Sequence, residues 1–221
     1  MKIIKQSWEF LNHPDAELIL KSIEVAGRVC YRTDSSATVE GTCDFVRNRI
    51  TTGHHSVIEH QSISVIIITD RGVTHEIVRH RLASYSQEST RYCNYSKDRF
   101  GNEITVVLPV WFSLDKDDDN EEFLRWYSAM RESEVAYFDL LELGQTPQQA
   151  RSVLPNSLKT EIVMTANLRE WRHFFSLRCS PAAHPQMRSL AVSMLMGFKK
   201  TVPVIFDDIY PEPEETSCQS I

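Results

Sequence analysis

Between Arg79 and Tyr92 runs Arg79-His80-Arg81-Leu82-Ala83-Ser84-Tyr85-Ser86-Gln87-Glu88-Ser89-Thr90-Arg91-Tyr92. Three arginines, a histidine, three serines and two tyrosines share this short run. Guanidinium forks match phosphate and carboxylate oxygens two at a time. Hydroxyls and backbone N–H groups in the same loop complete an anion cradle. A solvated helix end followed by a polar turn would show the same residues. A second group is Gly53-His54-His55-Ser56-Val57-Ile58-Glu59-His60, followed by His75 and His80. Neutral imidazoles with a carboxylate make zinc or iron sites. The spacing is not H-E-x-x-H, however, and adjacent histidines do not share a helix face. Capping, core hydrogen bonding and ligand contact therefore stay open beside metal ligation. A third group is Asn167-Leu168-Arg169-Glu170-Trp171-Arg172-His173-Phe174-Phe175-Ser176-Leu177-Arg178. Trp171, Phe174 and Phe175 read as core, and a guanidinium at Arg178 beside them needs an anion or carbonyl partner. Arg151, in Ala150-Arg151-Ser152-Val153-Leu154-Pro155, means little alone.

No G-x-G-x-x-G, G-x-x-x-x-G-K-[ST] or G-x-S-x-G pattern occurs. Ser89 has no base and carboxylate at recognisable spacing, so it reads as a hydrogen-bonding hydroxyl rather than a nucleophile.

The elements that must position these groups are mixed. Ile3–Phe10 is expected to open the chain as one strand. Asp15–Tyr31 reads as a helix capped by Asp15, with Leu18, Ile19, Ile23, Ala26 and Cys30 on one face. A polar loop, 33–41, leads to a helix from about Asp44 to Thr52, with Gly53 as its stop. The β-branched run Ser62–Thr69 is a buried strand. Thr74–Ser84 is expected to be helical, with Ile77, Val78 and Leu82 inward, and Tyr85–Asp98 to be a loop. Glu103–Val110 is a strand, and Glu121–Leu143 a long helix ended by Gly144. Thr146-Pro147-Gln148-Gln149 is a capping box that opens a short helix to about Leu154. Lys159–Thr165 is a strand. Asn167-x-x-Glu170 is a second cap signature, for a helix through Ser176, and Pro185–Lys200 is the last helix. Strands and helices mix without βαβ alternation, which predicts an α+β fold: a complex mixed arrangement with a small β-sheet and several long helices, in one domain or two intimately packed subdomains. The expected domain covers 1–210, with an acidic, disordered tail at 211–221.

The chain has 221 residues, 42% of them hydrophobic and 24% charged, enough to bury a core without disulfides. This excludes collagen-like, low-complexity and wholly disordered classes. No run of 18 apolar residues predicts a membrane span. The start has no secretory character, and Cys30, Cys43, Cys93, Cys179 and Cys218 are scattered, which predicts reduced thiols and a cytoplasmic setting. The net charge of −6 argues against a general nucleic-acid binder. Two local blocks run the other way: Arg71–Arg99 is net +3 and Arg169–Lys200 net +5. Either the surface charge is merely uneven, or a small anionic ligand is held between basic groups.

Arg79-His80-Arg81, seven residues and then Ser89 match the RHR-x7-S signature of the flavin-dependent thymidylate synthases. Gly53-His54-x-Ser56-x-x-Glu59-His60 resembles that family's G-H-x-[ST]-x-x-E-H segment, and Ala150-Arg151-x-x-Leu154-Pro155 its A-R-x-x-L-P. Asn167-x-Arg169, Leu177-Arg178 and His184-x-Gln186 resemble its N-x-R, L-R and H-x-Q, all in family order from about residue 20 to 205. The resemblance implies reductive methylation of dUMP to dTMP, with methylenetetrahydrofolate giving the carbon, FAD the hydride and NADPH the electrons. It implies no cysteine nucleophile and no metal. It implies that Arg178 is catalytic, favouring ionised N3 of the uracil, and that Glu76, Arg79, Gln87, Glu88, Ser89, Thr90, Arg91, Arg151 and Arg178 bind dUMP. His54, Ser56, Arg79, His80, Arg81, Gln87, Asn167, Arg169 and His173 are the implied FAD contacts. A homotetramer with sites shared between subunits is implied as well. Glu76, Gln87 and His173 depart from the commonest residues at their positions, and Cys179–Ala183 is one residue longer than the approach to His184 in some members.

Two other functions fit parts of the chain. A metal-dependent hydrolase would use His54, His55, Glu59 and His60, and would lose activity with chelators. A nucleic-acid-binding module would use Arg79–Arg99, and its binding to long polynucleotides would fall steeply with salt.

Overall fold

The computed structural model describes residues 1–30, 32–36, 38–97, 101–114 and 120–211. In chain order its elements are β1 (Lys2–Ile4), β2 (Ser7–Phe10), α1 (Ala16–Val29), α2 (Val39–Thr51), a 3-10 turn (His55–His60), β3 (Ser62–Asp70), α3 (Arg71–Ile77), β4 (Ala83–Gln87), β5 (Thr105–Val107), α4 (Glu121–Glu142), α5 (Pro147–Ala150), a second 3-10 turn (Arg151–Val153), β6 (Lys159–Asn167), α6 (Leu168–Arg178) and α7 (Pro185–Thr201). This is the expected mixed α+β fold. Among the described residues β1 pairs in parallel with β5, and a four-stranded sheet has the order β2-β3-β6-β4. The 211–221 tail, apart from Pro211, lies outside the described residues. No helix among the described residues is long and apolar enough to cross a membrane.

The chain divides into two compact units. The first holds Met1–Ser7, Ile66–Arg79 and Tyr85–Val163. The second holds Trp8–Val65, His80–Ser84 and Met164–Ile221.

In the first unit, Asp70 caps α3 by accepting from Val73 N at 2.7 Å, and Asn120 caps α4 by accepting from Glu122 N at 2.8 Å. Gly144, at φ +89°, ends α4 in the left-handed region that favours glycine. The capping box is formed: Thr146 N donates to Gln149 Oε1 at 2.9 Å. These ends lay α4 and α5 over a core of Tyr95, Ile104, Val106, Met130, Tyr137, Ala150 and Leu158.

In the second unit, Asp15 caps α1 by accepting from Leu18 N at 3.0 Å. The core is aromatic. Trp171, Phe174, Phe175, Phe198 and Phe206 are fully buried, and Trp171 Nε1 donates to the Ile63 carbonyl at 3.0 Å. Trp8 lies across α7, where a β-carbon at Gly197 would come within 2.4 Å of its ring. Its Nε1 donates to Ser193 Oγ at 3.1 Å. The side chain of Glu24 is fully buried on α1. Its carboxylate accepts from Arg28 Nε (2.8 Å), Ser36 N (2.8 Å), Thr42 Oγ1 (2.8 Å) and Lys21 Nζ (3.0 Å), tying α1 to α2 and to the segment before α2.

Six expectations about elements change. The opening strand is two, β1 and β2, in different sheets; between them Gln6 Oε1 accepts from Thr69 Oγ1 at 3.1 Å. The buried face of α1 is Ile19, Leu20, Ile23, Glu24 and Gly27, whereas Leu18 is 64% exposed. Helix α2 starts at Val39, because Thr38 caps it by accepting from Gly41 N at 3.2 Å. The helix expected over 74–84 spans Arg71–Ile77, and Val78 and Leu82 face outward at 40% and 74% exposure. Residues 83–87, expected to split between that helix and a loop, form β4; the strand expected over 103–110 is only Thr105–Val107.

Candidate active site

In the first unit β4 feeds directly into the Ser89 turn. Its inward residues are anchored by hydrogen bonds rather than by apolar burial. Tyr85 OH donates to the Ile77 carbonyl at 2.9 Å, and Gln87 Nε2 donates to Thr74 Oγ1 at 3.0 Å and Thr160 Oγ1 at 3.2 Å. Glu88 fixes the start of the turn. Its N–H donates to the Glu161 carbonyl at 2.8 Å, while its carboxylate accepts from Lys159 Nζ at 2.8 Å and Tyr95 OH at 3.2 Å. Burial, reinforced by the Glu88 charge, pushes the Tyr95 phenol far above its ordinary range, so it stays a donor. Within the turn, Tyr92 N and Cys93 N donate to the Ser89 carbonyl at 3.1 and 2.9 Å, and Arg91 N donates to Ser89 Oγ at 3.3 Å. Among the described residues no imidazole or carboxylate is hydrogen-bonded to Ser89 Oγ. Arg151 Nη1 donates to Thr90 Oγ1 at 3.2 Å, across 61 residues of sequence. Arg151 thus meets the turn that carries Ser89, Thr90 and Arg91, and both arginines are exposed. Arg79 is exposed just past α3, and Glu76 is half-buried within it.

A cavity of about 810 Å³ in the same unit is lined by Ser86, Gln87, Glu88, Tyr95, Lys159 and Glu161, among others. None of Arg79, Arg91 and Arg151 lines it. Its Glu88 and Glu161 carboxylates oppose a phosphate there.

In the second unit α6 carries the other groups. Asn167 caps it by accepting from Glu170 N at 2.9 Å. The second cap signature is thus half right. The Glu170 carboxylate turns into the protein and meets His80, with Nδ1 to Oε1 at 3.0 Å. On the other side of the ring, Arg178 Nε donates to His80 Nε2 at 3.1 Å. An arginine Nε–H only donates, so Nε2 accepts and the ring proton sits on Nδ1, facing the carboxylate. The imidazole and the carboxylate are both nine-tenths buried. Burial and the Arg178 charge lower the His80 pKa against the opposing pull of Glu170, which leaves the ring neutral. The ring packs against Phe174 at 4.9 Å and His173 at 5.7 Å, between centroids.

His54, Ser56, Arg81, Arg169 and His173 are exposed in this unit. His54 Nδ1 is 3.2 Å from Arg49 Nη1, and Arg169 is paired with Glu59 at 2.5 Å. His184 stands at the start of α7. The group proposed for a hydrolase, His54, His55, Glu59 and His60, does not converge. Among the described residues the group whose ligand atoms lie close enough to share an ion is His80, Glu170 and His173. The Arg178 guanidinium on the same imidazole opposes a cation there.

Glu170 is the residue that sequence reasoning missed. Its i+3 spacing from Asn167 is that of a capping-box glutamate, and its true partner is 90 positions away.

A family profile described as thymidylate synthase complementing protein matches residues 14–204. The chain is 35% identical to the flavin-dependent thymidylate synthase of Mycolicibacterium gilvum, over 90% of this chain and 86% of that one. It is 36% identical to the flavin-dependent thymidylate synthase of Geobacter sulfurreducens, over 90% of this chain and 84% of that one. Its fold is similar to the crystal structure of the UMP/dUMP methylase PolB from Streptomyces cacaoi bound with 5-Br dUMP, with a TM-score of 0.76, 22% identity and coverage of 94% of this chain and 96% of that one.

Proposed function

From the premise that the chain belongs to the thymidylate synthase complementing protein family, the flavin-dependent thymidylate synthases, we propose that it methylates dUMP reductively to dTMP. Methylenetetrahydrofolate gives the carbon, NADPH the electrons, and bound FAD supplies the hydride. The observation that carries this reading is the Arg151–Thr90 hydrogen bond, which brings the arginine of the A-R-x-x-L-P segment onto the signature loop.

The chain's own residues divide the work. Arg79, Ser89, Thr90, Arg91 and Arg151 hold the dUMP phosphate through guanidinium forks, hydroxyls and loop N–H groups. Glu76 and Gln87 stand beside that set. Gln87 is tied to Thr74 and Thr160, and Glu88 acts by anchoring the turn. Arg178 faces the pyrimidine and favours ionised N3, which makes C5 more nucleophilic; a fixed cation beside developing charge is a large catalytic effect.

The donor set also fits a flavin dinucleotide. Exposed Arg81 and Arg169, with His54 and His173, suit a diphosphate, and Ser56 and Asn167 add polar contacts. Arg79 serves this group as well. His80, whose ring nitrogens face Glu170 and Arg178, serves it by ordering its neighbours. The working form is a homotetramer whose sites draw on more than one subunit. Cys30, Cys43, Cys93 and Cys179 are in the thiol form, which suits the cytoplasm. Burial pushes the Cys179 thiol up to about 11, so it is no nucleophile at neutral pH.

The test is an oxygen-free reaction of the purified protein with dUMP, methylenetetrahydrofolate and chemically reduced FAD, read by mass spectrometry. dTMP forms only when flavin is present. A folded protein that yields none under these conditions overturns the proposal. The role of Ser89 is checked in the same assay. Ser89→Ala loses one hydroxyl bond to the phosphate and slows turnover by about 10- to 100-fold. Abolished turnover with dUMP binding intact would instead mark a covalent nucleophile.

A further inference from the structure

Glu170 and His80 form a buried chain that ends on Arg178, and every link is directional. The Glu170 carboxylate only accepts, the Arg178 Nε–H only donates, and the imidazole between them can satisfy both in one tautomer and one ring orientation. If the tautomer changes, two donors face each other at Arg178 Nε, and if the ring flips, a carbon takes the place of the acceptor. We propose that Glu170 is a positioning residue, which through the Nδ1–H of His80 holds Nε2 as the acceptor for Arg178 Nε and so sets the direction in which the Arg178 guanidinium faces the pyrimidine.

Four observations carry this beyond a structural ion pair. The two distances, 3.0 and 3.1 Å, are those of formed hydrogen bonds on opposite nitrogens of one ring. Both inner partners are buried, where hydrogen bonds are stronger and their geometry better held. The outer partner is half-buried at the last residue of α6. Phe174 on the ring face leaves the imidazole little freedom to turn. The chain therefore passes order from the interior to the Arg178 guanidinium. The inference rests on the reading that Arg178 meets the pyrimidine.

Three variants separate reach from charge. Glu170→Gln keeps an acceptor oxygen at the same reach and removes the charge. Glu170→Asp keeps the charge and withdraws the oxygen by one methylene. Glu170→Leu removes both. The probe is 5-bromo-dUMP, whose N3 ionises more easily than that of dUMP. Its ionisation is followed by difference absorbance across pH on the flavin-loaded protein, beside kcat with dUMP. In the parent protein the bound nucleotide ionises at lower pH than the free one. Glu170→Gln stays close to the parent. Glu170→Asp and Glu170→Leu raise the ionisation midpoint by about one pH unit and lower kcat by up to about 100-fold, the scale of an ångström's misplacement. Bound flavin and melting temperature report fold. Should the leucine variant not fold, the aspartate and glutamine pair decides alone. Parent-like midpoints in the aspartate and leucine variants overturn the positioning role while leaving the pyrimidine reading intact. A parent protein that leaves the nucleotide's ionisation unmoved overturns both.

Discussion

Arg178→Ala will lower turnover of dUMP by about 10²- to 10³-fold, the loss seen when one fixed donor to developing charge is removed. The variant will still bind FAD, because the guanidinium is assigned to the pyrimidine and not to the flavin. Flavin absorbance after gel filtration checks that half, and single-turnover dTMP formation checks the other. The variant also leaves His80 Nε2 without its donor at 3.1 Å, but water can enter a half-buried end of α6, so the fold tolerates the change. Arg178→Lys will recover only part of the loss. An ammonium restores the charge and lacks the planar fork that one ring nitrogen can hold in direction. Turnover within about threefold of the parent in Arg178→Ala would remove Arg178 from the mechanism.

Glu24→Leu is expected to be the costliest change outside the site. Four donors converge on this buried carboxylate, and two of them, Arg28 and Lys21, are cations. Removing the acceptor breaks both ion pairs and leaves the Ser36 N–H and Thr42 hydroxyl facing an apolar group, which costs about 3–5 kcal/mol. For a chain of this length that is a fall of roughly 6–20 °C in melting temperature. The pH dependence has a definite sign. Burial alone would raise the Glu24 pKa. The hydrogen bonds from Ser36, Thr42 and Lys21 outweigh it and hold the group far below its ordinary 4.5. A carboxyl lowered in the folded state contributes its full stability above the unfolded value and loses it as pH falls from there toward the folded value. The melting gap between the parent and Glu24→Leu will thus be constant near neutrality and narrow below about pH 4.5. A gap that is absent at pH 7, or that widens on acidification, would show that the network does not stabilise the fold.

What could be read from the sequence was whatever local chemistry determines. Asp15, Asn167, the Thr146 capping box and Gly144 mark helix ends through bonds within a few residues, and the structure places all four as expected. The β-branched run of β3 was legible for the same reason. Strand β4 was not. Ala83-Ser84-Tyr85-Ser86-Gln87 has no β-branched residue, and its inward side chains are held by hydroxyl and amide hydrogen bonds to Ile77, Thr74 and Thr160. A hydrophobicity pattern carries no trace of such anchors. The joining of Arg151 to the Ser89 turn was half legible. Arg79-His80-Arg81 and Ser89 stand out by density, whereas Arg151 gains its meaning only when Thr90 is brought to it. Glu170 was hidden because its local role at the start of α6 accounts for its presence, and only a long-range contact shows its other partner. Leu18 and Leu82 misled for a simple reason: an exposed leucine is common, and periodicity alone does not say which apolar stripe turns inward.

The second unit is assembled from the two ends of the chain, and this sets a timetable for its birth on the ribosome. At about 5–20 residues per second, synthesis of the stretch between Val65 and Met164 takes on the order of ten seconds. Throughout that interval Trp8 has no α7 to lie across, and Ile63 waits for the indole of Trp171. The nascent chain carries its own unfinished surface past the exit of the tunnel until α6 and α7 emerge. Chaperone occupancy on ribosome-bound chains should concentrate on the first sixty-odd residues and clear only once Gly197 has been translated.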